Sequence, residues 1–520
     1  MGAGIILGRG LPCLLVGLGL VTTASAQGQQ LWTLESQGNW QCNVVSLGSG
    51  GNRVITQIGA SSGAFKAFSS APQDPPTPLM EVNLSGLAFN VMLDSADDAD
   101  RHASMYQRPS AVSAGQWDSV VQGFDGNGCL WEYVLPNPTA IMPGSGVAIS
   151  DDGQVIISAL WEISTGRTTL TQHDPLTGNP TSLHELAPAG KLKNIALSGD
   201  GTTIAAASSI YLYIIDVPSG AILHSHLLYS EPSYGALDIS GDGSLIGYGT
   251  TEKIRTWKRN GSAYSTSTTI LPVGSAPLCL SISDDGSAMA AGLWFFDGTP
   301  LIDIRAYEVG STVPTMVFQD PIPPGAVNGT LHIEICDDGS RLAAGLLGDD
   351  QHDLPEVLIF DSSSSSPVAS FDRPGAILAL DFSGDATKLA VVTNAAHSVD
   401  TGGPGSVDLY DISPSDFHYA GTPTLGSTLT FIQELGQSSY GRVLRADTLG
   451  TPFDYGTLGT LYLTRRQIRV LDVGSANGQG QMETPFTITG VQAGATLYFQ
   501  GLAFGPRRLS ESFVELTVLP

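Results

Sequence analysis

Positive charge is scarce in this chain. Of its 520 residues, 23 are Lys or Arg against 49 Asp or Glu, a formal net charge of −26. Nucleic acid is recognised through a basic face, so the composition excludes it as a partner and favours solubility and association with cations. Histidine is equally thin: nine scattered residues, from which no catalytic triad can be assembled by spacing. There is no His-Glu-x-x-His, no Cys-x-x-Cys and no glycine-rich phosphate loop ending in Lys, which removes common zinc, redox and nucleotide signatures. Long apolar runs are missing after the first residues. Residues 11–21 are apolar but carry Pro12 and several Gly, too short a run for the roughly 20 residues that span a bilayer. Ala24-Ser25-Ala26 follows, the small-x-small pattern of a cleaved leader. The expectation is a signal peptide over 1–26 and a mature chain that is secreted, or periplasmic or cell-surface in a bacterium, with no membrane insertion after cleavage. Losing the leader removes only Arg9 among charged residues, leaving −27.

Turn formers are plentiful, with 62 Gly and 31 Pro, and no segment has a sustained helical period. The chain reads as all-β, short strands with frequent turns. One sentence recurs within it: an apolar stretch, a four-residue turn, a second apolar stretch. The turns are Ser150-Asp151-Asp152-Gly153, Ser198-Gly199-Asp200-Gly201, Ser240-Gly241-Asp242-Gly243, Ser283-Asp284-Asp285-Gly286, Cys336-Asp337-Asp338-Gly339 and Ser383-Gly384-Asp385-Ala386. Weaker copies stand near Ser46 and Ser95. Asp accepts a turn amide and Gly tolerates positive φ. The paired acids of these turns therefore read as turn chemistry before calcium ligation. A third strand ends in a second turn, as in Asp216-Val217-Pro218-Ser219-Gly220, and a poorer fourth strand closes the unit. Four strands in about 40–50 residues make one propeller blade. A blade cannot bury both faces alone, so the units must close into a ring.

These turns resemble those of WD repeats and their bacterial, TolB-like relatives, over about residues 30–413, although no Gly-His pair precedes the first strand and Trp-Asp itself is absent. The resemblance implies the fold and not a function, since propellers host many. Eight copies predict a β-propeller of eight blades over 27–413, with seven the alternative. Leu31-Trp32-Thr33-Leu34-Glu35 reads as a fourth strand that would complete the last blade and close the ring. After a linker at 414–420 the repeat stops, and alternating apolar segments separated by Gly-rich turns read as a β-sandwich over 421–520. That region resembles a C-terminal module of secreted bacterial proteins.

Function points to binding. The leading expectation is a secreted binding module that recognises a protein, peptide or glycan through one loop face, with enzymatic activity left open. The alternatives are a structural or envelope-associated assembly protein and, below it, a propeller hydrolase, lactonase or dehydrogenase. The Asp-Gly turns are short and stereotyped, whereas the second-to-third and fourth-to-first connections are long and irregular, and long loops on a rigid scaffold carry function. In the later blades those loops hold the candidate ligand residues Trp294, Asp297, Asp320, His397 and Asp400. Asp349, Asp350, His352 and Asp353 form the densest set of hard-metal donors, with calcium the metal they would suit; no other cofactor is expected. The mature cysteines, Cys42, Cys129, Cys279 and Cys336, fall in different registers or distant blades. Disulfide geometry is then out of reach, and four buried free thiols are expected.

Overall fold

The computed structural model describes residues 29–520 apart from 36–41, 49, 59–63, 72–75, 84–88, 97–100, 112–115, 136–144, 163–164, 187–191, 229–235, 262, 297, 349–353, 374, 395–404, 414–416, 421–427, 435–439, 447–448, 455–459, 464–468, 476–480, 488–495, 505–506 and 518–520. The expected leader at 1–26 lies outside the described residues. Every regular element among the described residues is a β-strand, and among those residues no helix is long and apolar enough to cross a membrane. Two compact units result, Gln27–Pro414 and one carrying Ser415–Pro520.

The first unit is a β-propeller of eight four-stranded blades. Blades 1 to 7 occupy 42–83, 89–134, 145–186, 192–227, 237–270, 275–321 and 330–371 in sequence order, each an antiparallel meander. Blade 8 takes three strands from 377–411 and its outermost strand, Gln29–Glu35, from the start of the chain. Thr33 pairs with Asp408, Leu34 with Val407 and Glu35 with Ser406. This is the closure expected from the Leu31–Glu35 alternation, and it fixes the blade number at eight.

The physical reason for the ring lies in the seams. Each of the eight junctions between neighbouring blades holds its own hydrophobic cluster. The middle strands are buried on both faces: Thr203–Ser208, Leu245–Thr250 and Arg341–Leu346 are buried at every position, as expected of strands sandwiched between neighbours. The outer strands alternate, with Ile222–Leu227 showing mostly exposed or half-buried residues. The closing strand is nailed into the next blade as well as its own. Trp32, 3% exposed, packs on Phe68 of blade 1 with ring centroids 5.6 Å apart and donates its indole N–H to the Ser69 carbonyl at 3.0 Å.

Three readings of the sequence are corrected here. The turn register of the first two blades is set by Gly48 and Ala96 rather than Ser46 and Ser95, because Gly51 N donates to Gly48 O and Ala96 N to Arg101 O, the bonds that Ser150 organises in blade 3. Cys129 is exposed rather than buried, on the outermost strand of blade 2 (Gly128–Val134). Cys279 is half-buried and Cys336 buried, and all three are free thiols; the side chain of Cys42 lies outside the described residues. Finally, the stretch expected to be a linker contains the strand Phe417–Ala420, whose alternating aromatic residues pair with Thr428–Glu434.

The second unit is also all-β. Phe417–Ala420, Thr428–Glu434 and Gln481–Thr487 form one sheet. Arg469–Ser475, Tyr440–Ala446, Thr496–Phe504 and Arg507–Thr517 form a second, and Leu449–Asp454 pairs with Thr460–Leu463 as a third.

Candidate functional site

The site grows out of the repeated turn. In blade 3 the Ser150 hydroxyl donates to Asp152 Oδ1 at 2.7 Å and accepts the Val155 amide at 3.0 Å, while Asp152 Oδ1 also accepts the Gln154 amide at 2.9 Å. Ser198–Asp200, Ser240–Asp242, Ser283–Asp285 and Ser383–Asp385 repeat this pattern at 2.7 to 2.9 Å. In blade 7 a thiol stands in: Cys336 Sγ donates to Asp338 Oδ1 at 3.2 Å. The fourth position needs positive φ, which is +65° at Gly153, +68° at Gly201 and +70° at Gly339, the left-handed region that glycine enters most easily.

Neighbouring turns are then linked to one another. Asp151 N donates to Gly199 O, Asp200 N to Gly241 O, Gly241 N to Asp284 O and Asp285 N to Asp337 O, at 2.8 to 3.1 Å. The residue after Ser is Gly where a neighbouring acid leans over it. A Cβ on Gly199 would fall 1.9 Å from Asp151 Oδ2, and one on Gly241 2.6 Å from Asp284 Oδ1. The ring thereby sets five consecutive turns around one concavity of about 790 Å³. Asp151, Asp152, Asp200, Asp242, Asp284, Asp285, Asp337 and Asp338 line it together with Gly199 and Gly241, and no Lys or Arg is among the lining residues. Burial works to raise the Asp242 and Asp285 carboxyls, but the Ser side chains and turn amides together outweigh it and hold both below the ordinary value of 3.8. The Ser340 hydroxyl leads the bonds that do the same at Asp338. The funnel is therefore strongly anionic at neutral pH.

A second tier of acids stands on the innermost strands, two residues before the turn's Ser position: Asp94, Asp238, Glu334 and Asp381. First strands of neighbouring blades touch one another all the way round, so these residues sit at the ring axis. Each reaches an adjoining blade. Asp94 accepts the Ile149 amide at 2.9 Å, Asp238 the Ile282 amide at 2.6 Å, Asp381 the Leu47 amide at 2.7 Å, and Glu334 the Ser281 hydroxyl at 3.2 Å. Burial pushes Asp238 and Asp381 up to about 7 against the pull of those amides, and Asp94, on a non-adjacent blade, raises both further. Burial likewise raises Glu334, with Asp381, Asp238 and Asp337 adding to it. Rim and axis are thus in electrostatic contact, Asp284 with Asp238 and Asp337 with Glu334.

The residues singled out from sequence sit elsewhere. Trp294 is the penultimate residue of the second strand of blade 6 (Ala288–Phe295), half-buried, its ring over Gly329 where a Cβ would come within 2.5 Å. Asp320 lies in the outermost strand of that blade, Met316–Pro321, paired with Ile302; the strand runs on through what the sequence suggested was a loop. Asp297, Asp349, Asp350, His352, Asp353, His397 and Asp400 lie outside the described residues. Among those described, no group of three His, Cys, Asp or Glu is placed to hold a metal ion. What sequence reasoning missed is the axial acids. The available signal was an acid inside an otherwise apolar first strand, as in Leu237-Asp238-Ile239 and Ile333-Glu334-Ile335.

No protein-family model matches the chain, and no curated protein matches it.

Proposed function

We propose that the protein is a binding module, exported after loss of its leader, whose Asp-Gly turn face takes a positively charged segment of a protein or peptide. The observation that supports this reading is the funnel: eight aspartates from five consecutive blades share one concavity without a basic residue on its wall. Such a focused field attracts Lys and Arg side chains and speeds their encounter, an effect that weakens as salt screens it. The scaffold is rigid, because each funnel carboxylate stands on a turn locked by its own Ser, or by Cys336 in blade 7, and by a neighbouring blade.

Calorimetric titration of the mature protein with dodecalysine tests the reading. Saturable binding that weakens steeply with added salt supports it, and no heat of binding at low salt overturns it. A second reading places a ligand or calcium on the opposite face. The connections at 349–353 and 395–404 follow the second strands of blades 7 and 8, and blade 7 adjoins blade 6 with its half-buried Trp294. For that reading the decisive variant is D349N/D350N/D353N, which would lose calcium-dependent stabilisation while the fold stays intact.

A further inference from the structure

The repeat places one side chain per blade around the ring axis, two residues before the turn. Four of the eight are the acids Asp94, Asp238, Glu334 and Asp381; the other four are Ser or Ala, and none is basic. All four acids are half-buried, so protons can reach them. They are also rooted in the turns that wall the funnel. Asp238 accepts the amide of its own neighbour Ile239 at 2.9 Å as well as that of Ile282, which stands immediately before the turn of Asp284 and Asp285. Asp94 holds the Ile149 amide before the turn of Asp151 and Asp152. In blade 6 the axial Ser281 hydroxyl accepts the Ile335 amide at 3.1 Å, before the turn of Asp337 and Asp338, and donates to Glu334.

Carboxylates gathered around one axis, with no base in their ring, cannot all ionise at the ordinary value, because each charge raises the others. Asp238 faces Asp284 of the funnel wall and Asp94; Glu334 faces Asp381, Asp238 and Asp337 of the wall; Asp381 faces Asp94. Cations on the strands packed against these three acids are engaged elsewhere. Lys388 donates to the Gly51 carbonyl and the Ser70 hydroxyl, Arg341 to Asp361 and the Ile412 carbonyl, and Arg305 is paired with Asp303. Lys193 and Glu308 are exposed. Burial pushes the Cys279 thiol up to about 12 and lowers the His332 imidazole from its ordinary 6.5, while Tyr248 and Tyr307 lie in the blade seams. What titrates near neutrality at the axis is therefore the acids themselves, with Asp238 and Asp381 at about 7. The rim acids Asp242, Asp285 and Asp338, held below 3.8, stay ionised there.

We propose that Asp238, Glu334 and Asp381 are a proton-operated switch on the funnel: ionised, they deepen its field and tighten its hold on a cationic segment, and protonated, they loosen it. The switch rests on the funnel reading above and adds its regulation. A lysine side chain keeps its charge from pH 6 to pH 8, as do the rim acids, so the axial ring is what changes between funnel and partner across that window. Linkage is reciprocal. A bound cation favours the ionised acids, so capture near pH 7 drives protons off them.

The test is calorimetric titration of the mature protein with dodecalysine at low salt, at pH 6 and pH 8, with a further titration at pH 7 in two buffers of different ionisation enthalpy to count protons. The parent should bind at least about threefold tighter at pH 8, the effect of a few added charges acting through water, and should release protons on binding at pH 7. In D238N/D381N, whose amides still accept the Ile282 and Leu47 bonds, the ratio between the two pH values should fall towards one and the proton release should shrink. A pH effect that came from histidines elsewhere would survive this substitution. Asp238→Asn alone should lie between the two proteins, so the test holds if the double variant is unstable. Equal affinity of the parent at pH 6 and pH 8, or a double variant that keeps the parent's ratio and proton release, overturns the switch and leaves the funnel reading standing. No binding at either pH overturns both.

Discussion

At the scale of single residues, the turn glycines are not equivalent. Gly243 and Gly286 both have φ near +65°, so alanine at either carries the left-handed penalty of about 1 kcal/mol or somewhat more. A Cβ on Gly286 finds its nearest neighbour at 3.4 Å, whereas one on Gly243 would meet Thr203 Cβ and Oγ1 at 2.7 Å. Gly243→Ala should therefore cost roughly 1–3 kcal/mol more than Gly286→Ala through overpacking, measured by chemical denaturation; equal losses would contradict this account of the seam. Nature supplies a reference, since Ala386 already sits at φ +52° in the eighth turn. Thiols give a second prediction. Cys129 is exposed, Cys279 has its thiol pushed up to about 12 by burial, and Cys336 is enclosed in its turn. Alkylation of the native protein followed by peptide mapping should modify Cys129 before either of the others, because only accessible thiolate reacts. Prior labelling of Cys336 would mean that the blade 7 turn opens.

Elements show which parts of the fold could be read from sequence. The six strong turns were legible because Ser, Asp and Gly each do a local job that adjacent residues complete. The closing strand was legible from the alternation around Trp32, although its partner lies about 380 residues away. Blades 1 and 2 were placed out of register because Gly48 and Ala96 replace the Ser that marks the others. Asp320 was taken for a loop residue because its strand, Met316–Pro321, ends in polar residues and proline, which an outermost strand accepts. The funnel itself was illegible, since each Asp was accounted for by its own turn and only ring closure brings Asp151 and Asp338 to one concavity. Closure makes its own prediction. Asp408, fully buried, pairs with Arg373 at 2.8 Å and accepts bonds from Ser406 and, on the closing strand, from Gln30 and Thr33. Deleting 29–35 should lower the melting temperature sharply, and Asp408→Ala should cost about 3 kcal/mol by leaving Arg373 unpaired. A melting temperature unchanged by the deletion would rule out a closing role for the strand.

The whole molecule carries opposing titrations. Asp238 and Asp381 have folded values near 7, above the ordinary 3.8, so the stability they contribute is full below about 4 and is lost as pH rises through 7. Asp242, Asp285, Asp338 and Asp385 are held below 3.8, so their contribution is present above that value and is lost as pH falls beneath it. Stability should peak in the weakly acidic range. Asp238→Asn, which keeps an acceptor for the Ile282 amide, should raise the melting temperature at pH 8 and leave it unchanged below about pH 3.8. A melting temperature that climbs steadily from pH 5 to pH 9 would contradict this balance.

The central claim is that the acidic funnel, and not the opposite face, captures a cationic partner. Asp151, Asp284 and Asp337 lie on its wall outside the Ser–Asp bonds that build the turns, so their amide forms leave those bonds in place. The direct measurement is dodecalysine affinity at low salt for three proteins: the parent, D151N/D284N/D337N and D349N/D350N/D353N. The account predicts at least about a tenfold loss for the first variant, from three charge contacts at the funnel wall, and parent-like binding for the second. Equal affinity in the parent and the funnel variant, or a loss confined to the 349–353 variant, would contradict it.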